Sequence, residues 1–209
     1  MKTIKVLALL LAIVSFTFGQ NFEGKIAYKN EYKSKMPNMT DAQFSSMMGT
    51  SQEFWIKGGN YKSSTDGTLL QWQLYINNDN KLYTKMSNSA TILFNDCSVN
   101  TDEVIKSELN KGVINILGHP CDELIFTCKS GVQKYYFSSE LKVDPTLFEK
   151  HKFANWNEFI SKAKCLPLKI FVENQQFSIT SIATEITAMK LDDKLFELPA
   201  DSKTEKSPY

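Results

Sequence analysis

The chain has 209 residues, 42% of them hydrophobic and 22% charged, with 24 basic against 23 acidic side chains, so it has the apolar content of a folded domain. Every basic residue is Lys, and the near-zero net charge supplies neither a cationic footprint nor the guanidinium fork that reads base edges and phosphates. Nucleic acid is therefore excluded as a partner.

Lys2 and Lys5 precede an apolar run from Val6 to Phe18, and Thr17-Phe18-Gly19 has the spacing of a signal-peptidase site. Residues 1–19 read as a secretory signal peptide cleaved after Gly19, which places the mature protein in the periplasm or outside the cell. With Lys2 and Lys5 removed from the 24 basic residues, 22 remain against 23 acidic, and neither a membrane surface nor a polyanion is favoured. No later run reaches about 18 apolar residues, and the first cysteine is Cys97, far from any lipid-attachment position, so no stable membrane anchor is expected.

From Phe22 to Lys33 the chain alternates, with Phe22, Gly24, Ile26, Tyr28 and Tyr32 on one face and charged residues on the other, which predicts a long half-buried strand. Between this strand and the next lies a segment carrying Met36, Met39, Phe44, Met47 and Met48. Thr40-Asp41 caps a predicted helix over Ala42–Met48, with Gly49 as its stop. Four of the chain's seven methionines fall within these thirteen residues, and their flexible side chains suit either a plug at one end of a β core or a lid over an apolar cavity.

Further strands are predicted at Glu53–Lys57, Asn60–Ser64, Leu69–Ile76, Lys81–Met86 and Thr91–Asn95, with hairpin turns at Gly58-Gly59, Asp66-Gly67 and 77–80. Trp55, Trp72 and Tyr75 on these hairpins are candidates for a cavity wall facing the Met-rich segment. Asn100-Thr101-Asp102 before Glu103–Lys111, with Gly112 behind, reads as a second short helix. Strands follow at Val113–Leu117, Cys121–Cys128, Val132–Ser138, Leu166–Glu173 and Gln176–Met189, and Asp144-Pro145 and Asn155 open two more helical segments. The tail 203–209 is polar and expected to be frayed. About ten sequential strands with tight turns predict a mainly β domain over 20–202, in which one curved antiparallel sheet forms a half-barrel with short helices on its concave face.

The four cysteines, Cys97, Cys121, Cys128 and Cys165, all lie beyond the signal and in an oxidising compartment are expected to form two disulfides. Cys121 and Cys128 sit at opposite ends of one strand, over 20 Å apart at about 3.3 Å per residue, so they do not pair with each other. Two schemes stay open, and a hairpin at Lys129-Ser130-Gly131 favours 97–128 with 121–165. No two cysteines have the spacing of a zinc knuckle, and no metal or other cofactor is expected.

The chain has two histidines. His119 reads as a turn residue beside Cys121, and His151, flanked by Lys150 and Lys152, reads as surface. No nucleophile elbow, phosphate loop or zinc-protease motif occurs, and no enzymatic activity is expected.

Phe22-Glu23-Gly24-Lys25-Ile26-Ala27-Tyr28, the Trp55-Ile56-Lys57-Gly58-Gly59-Asn60-Tyr61 hairpin, Ile116-Leu117-Gly118-His119-Pro120-Cys121 and Leu195-Phe196-Glu197-Leu198-Pro199 resemble the exported bacterial proteins grouped as DUF4412. That group is similar to the periplasmic lipoprotein carriers and outer-membrane lipoprotein receptors of the LolA/LolB type. The resemblance implies a half-barrel with a hydrophobic cavity and no catalytic site. The chain departs from it in having no Arg near a cavity mouth and no lipid-attachment cysteine. Two functions follow as expectations. The first is binding of an apolar, lipid-like small molecule, with Met36, Met39, Phe44, Met47 and Met48 as lid and Trp55, Trp72 and Tyr75 as wall. The second is an envelope protein-interaction module with a filled core and no ligand.

Overall fold

In the computed structural model, residues 21–100 and 102–208 are described. The expected signal peptide lies outside them. Twelve strands follow one another: β1 (Gly24–Ser34), β2 (Ser51–Lys57), β3 (Asn60–Thr65), β4 (Leu70–Ile76), β5 (Lys81–Met86), β6 (Ile92–Asp96), β7 (Val104–Ile116), β8 (His119–Cys128), β9 (Val132–Lys142), β10 (Cys165–Glu173), β11 (Phe177–Ala188) and β12 (Thr204–Lys206). They form one sheet in the order β12-β6-β5-β4-β3-β2-β1-β11-β10-β9-β8-β7, with β12 and β7 as open edges. The curved antiparallel sheet is as expected, but it holds two more strands than about ten. β12 pairs in parallel with β6 and makes the sheet mixed, so Thr204–Lys206 is ordered where fraying was expected. No helix among the described residues is long and apolar enough to cross a membrane.

The alternation in the first strand is realised: Gly24, Ile26, Tyr28, Asn30 and Tyr32 are buried, and the intervening residues are more exposed. β1 sits mid-sheet, between β2 and β11. The hairpin between β2 and β3 turns at Gly58, whose φ of +56° is a left-handed conformation that costs a residue with a Cβ about 1 kcal/mol.

Glu103–Lys111 is not a helix. From Val104 on it belongs to β7, which pairs with β8 so that Ser107 lies opposite Phe126 and Leu109 opposite Leu124. The apparent N-cap serves the neighbouring turn instead, since Asp102 accepts bonds from the Ser130 backbone N–H and hydroxyl. The apparent stop, Gly112, lies in an irregular stretch of the strand where its N–H donates to Asp122. Pairing across the sheet overrides a local helix signal that only tertiary context could overturn.

Each face of the sheet carries a core. The inner face, the one that residues 143–164 cover, holds the larger one, built from Ile26, Tyr28, Phe54, Ile56, Tyr75, Phe126, Tyr135 and Phe137. The smaller one lies on the outer face of β4 to β6, where Leu74, Tyr83 and Ile92 pack under Leu191 and Phe196. The first helix, α1 (Asp41–Met48), carries the expected Thr40 cap: the Thr40 side chain accepts the Gln43 N–H and the Gln43 side chain accepts the Thr40 N–H. Its buried Phe44 packs on Tyr32 and Phe177, with ring centroids 5.2 and 5.4 Å away, so α1 caps the Tyr32 end of the β1–β11 pair.

The four cysteines are free and buried, which corrects the expected disulfides. Cys121 on β8 and Cys165 on β10 are separated by β9, and two strand spacings, about 9.6 Å, exceed the reach of a disulfide. Between Cys97 and Cys128 runs the turn 152–155. The Cys97 carbonyl accepts the N–H groups of Lys152 and Phe153, while the Cys128 sulfur faces Asn155 Nδ2 at 3.5 Å. Burial raises the Cys97 and Cys128 thiols to about 12 and Cys165 to about 11.

Candidate functional site

The segment between β9 and β10 is a plug laid on the inner face. Its ends are joined where the Val143 N–H donates to the Lys164 carbonyl. Asp144 caps a turn over Pro145–Phe148 by accepting the Thr146 N–H, and α2 (Trp156–Ala163) follows. In α2, Trp156, Phe159, Ile160 and Ala163 recur at the spacing of one helical face, and Phe159, Ile160 and Ala163 are buried against the sheet. Tyr135 stacks on Phe159 at 4.3 Å.

Polar groups pin the plug at three places. Asn80 Nδ2 donates to the Lys150 carbonyl at 3.0 Å, and Asn77 Nδ2 to that of Leu147. The Cys97 carbonyl holds the N–H groups at 152 and 153. Asn155, 1% exposed, leaves α2 uncapped and points into the wall, where it donates to Gln133 Oε1 at 3.3 Å and accepts from Asn100 Nδ2 at 2.7 Å. To do so it adopts φ +61°, next to Ala154 at +53°, and a left-handed Ala carries strain of about 1 kcal/mol or more.

His151 is only 1% exposed, so it is a core residue and not the surface histidine its Lys neighbours predicted. Its flanks Lys150 and Lys152 are exposed while its ring turns inward. It lies 4.1 Å from the Tyr75 ring and stacks on Tyr61 at 5.8 Å, and Tyr61 Oη meets His151 Nε2 at 2.8 Å. Trp156 completes the chamber, 5.8 Å from Tyr61 and 6.3 Å from His151. Desolvation holds His151 neutral, with its pKa lowered to about 3, and raises the Tyr61 phenol well above its usual value. His151 Nδ1 and Trp156 Nε1 are buried without a hydrogen-bond partner among the described residues.

The predicted ligand residues do not converge here. Tyr75 alone lines the chamber. Trp55 and Trp72 pack on the outer core beside Leu74 and Tyr83. Met39 and Met47 border a shallow depression of about 460 Å³ on α1, while Met36 and Met48 are half-buried nearby and Phe44 is in the Tyr32 cluster. The two helical segments expected at Asp144-Pro145 and Asn155 are present as Pro145–Phe148 and α2, and what was missed is that His151, Trp156 and Asn155 on this stretch turn inward. The helical spacing from Trp156 to Ala163 was the signal that could have found them. A larger cleft of about 590 Å³ opens between the plug and β7, lined among others by Val104, Ile105, Asn155 and Asn157. His119 pairs through Nδ1 with Glu140 at 2.6 Å, and the Cys121 thiol donates to the His119 carbonyl, so the two do not form a thiol–imidazole pair. Among the described residues no three metal-ligating side chains gather.

No family model and no curated protein matches the chain, so the DUF4412 resemblance rests on the motifs quoted above. Among solved structures it is similar to PNGF-II in two crystal forms, at 13% and 15% identity and a TM-score of 0.49 in each, over 89% of this chain. The chain spans about a third of the length of PNGF-II, 32% and 31% in the two forms. It is also similar to the LolA superfamily protein NE2245 from Nitrosomonas europaea, at 11% identity and a TM-score of 0.38, over 87% of this chain and 92% of that one. All three TM-scores fall below 0.5, so these likenesses assign neither ligand nor activity.

Proposed function

We propose that this protein is an exported, non-enzymatic binder of an apolar, lipid-like molecule, taken up between the inner face of the sheet and the plug over 143–164. The observation that carries the reading is the construction of that plug. An amphipathic helix and a strained turn, held at its margins by a few side-chain hydrogen bonds, cover a wall of aromatic rings. Lifting it uncovers apolar surface without breaking any strand pairing, because β9 and β10 pair with each other directly. The cleft beside β7 gives access to its edge. Titration of residues 20–209 with the apolar dye N-phenyl-1-naphthylamine tests this. Saturable fluorescence enhancement, weakened by Trp156→Ala and unchanged by Met47→Asp, is the expected result. Absence of saturable binding overturns it.

A second reading, docking of another protein, has one observation in its favour. The edge strand β7 exposes Ile105, Leu109 and Val113, with Leu117 just beyond it, and an edge with free backbone groups accepts an added strand. A protein that binds no dye, and whose self-association changes with Leu109→Lys in analytical ultracentrifugation, favours this reading.

A further inference from the structure

The two unpartnered buried atoms in the chamber specify the kind of ligand. Each belongs to the plug and to a ring of the aromatic cluster: His151 Nδ1, on a residue 1% exposed, and Trp156 Nε1. Such groups are rare in folded proteins, because a buried donor without an acceptor forfeits the hydrogen bond it makes in water. The indole nitrogen is a donor in every state. The histidine tautomer follows from counting. Were His151 Nε2 to donate to Tyr61 Oη, the Tyr61 hydroxyl proton and the Nδ1 lone pair would both be left without partners. With the Tyr61 hydroxyl donating to Nε2 at 2.8 Å, one group stays open, Nδ1–H. The chamber thus holds two neutral N–H donors, on rings whose centroids are 6.3 Å apart.

The charge of that acceptor is constrained as well. The lysines flanking His151 are exposed, and an ionised carboxylate in the chamber would be buried without a cation. We infer that the ligand carries a neutral carbonyl group, as in a long-chain ester, and that His151 Nδ1–H and Trp156 Nε1–H hold its oxygen while the chain lies against Tyr61, Tyr75 and Phe54. This rests on the reading of the plug-covered face as an apolar-ligand site, and it names the head group that the site selects. His151 and Trp156 are then the specificity-determining pair, and Tyr61 positions the first of them.

The test is competition for the bound dye by three molecules of equal chain length: methyl hexadecanoate, hexadecane and, at pH 8, hexadecanoate. Two hydrogen bonds gained on binding predict that the ester displaces the dye at a concentration roughly tenfold below that needed for the alkane. It should also act below the ionised acid. Trp156→Phe should cut the ester preference, read as the ratio of ester to alkane displacement in that same variant, about fivefold. Tyr61→Phe, which frees the His151 ring to adopt either tautomer, gives a second test where Trp156→Phe does not fold, and should lower the preference about threefold. Equal displacement by ester and alkane, or strongest displacement by the acid, overturns the inference while leaving the apolar site standing. Displacement by none of the three overturns that site and the inference together.

Discussion

His151 contributes to stability only while its ring is neutral. Burial lowers its pKa to about 3, and in the unfolded chain the ring returns to about 6.5. Below pH 6.5 the unfolded state therefore binds the extra proton, and the stability present above that pH is lost as pH falls toward 3, by at most about 1.4 kcal/mol per unit. Urea denaturation at pH 6.5 and pH 5 should show the wild type losing about 2 kcal/mol more than His151→Phe, which keeps the packing but cannot be protonated. Equal losses would place the acid sensitivity elsewhere. The inward orientation of His151 was illegible in the sequence, because Lys150 and Lys152 on either side carry the pattern of a solvated turn. The cysteines misled for a related reason: compartment chemistry predicts oxidation, but pairing needs geometry, and β9 and the 152–155 turn stand between the partners. Iodoacetamide treatment of the unreduced, denatured chain should add four labels by intact mass, and the folded chain should take up few, its thiols being buried. Two disulfides would instead block all labelling.

At the scale of elements, the strands were legible because alternation and tight glycine turns are local signals, and the bounds of β3 and β5 differ from expectation by at most one residue. Of β7 only the end from Val113 was, since its partner β8 decides the conformation of the rest, whose flanks imitate a cap and a stop. α1 was legible from its cap, and Thr40→Ala should cost about 1 kcal/mol in chemical denaturation while leaving dye affinity unchanged, because α1 stands at the Tyr32 end of the sheet. A fall in affinity would put α1 at the site. The plug behaves in the opposite way. Asn155→Gly tolerates the left-handed backbone but removes the bonds to Gln133 and Asn100, and should destabilise the fold by about 1–3 kcal/mol. The same change should speed proteolysis within 143–164 ahead of the rest of the chain. Cleavage no faster than in the wild type would show the plug to be held by its apolar face alone.

Over the whole molecule, one sheet serves two cores, and this division is what separated the expected wall. Trp72 and Tyr75 are three residues apart on β4, and residues an odd number apart on a strand face opposite sides, so they could not line one cavity. Trp55, between buried Phe54 and Ile56, likewise belongs to the outer face. The sheet itself followed from local pattern, but which of its faces would be covered by residues 143–164 and which by the C-terminal residues 191–198 depends on long-range packing. The central claim, an apolar ligand held under the plug, is tested most directly by native mass spectrometry of residues 20–209 purified from a bacterial periplasm, followed by organic extraction of what is released. A near-stoichiometric acyl species carrying an ester or other neutral carbonyl is the result expected. A protein that emerges free of any such species, and gains none when incubated with methyl hexadecanoate, would contradict it.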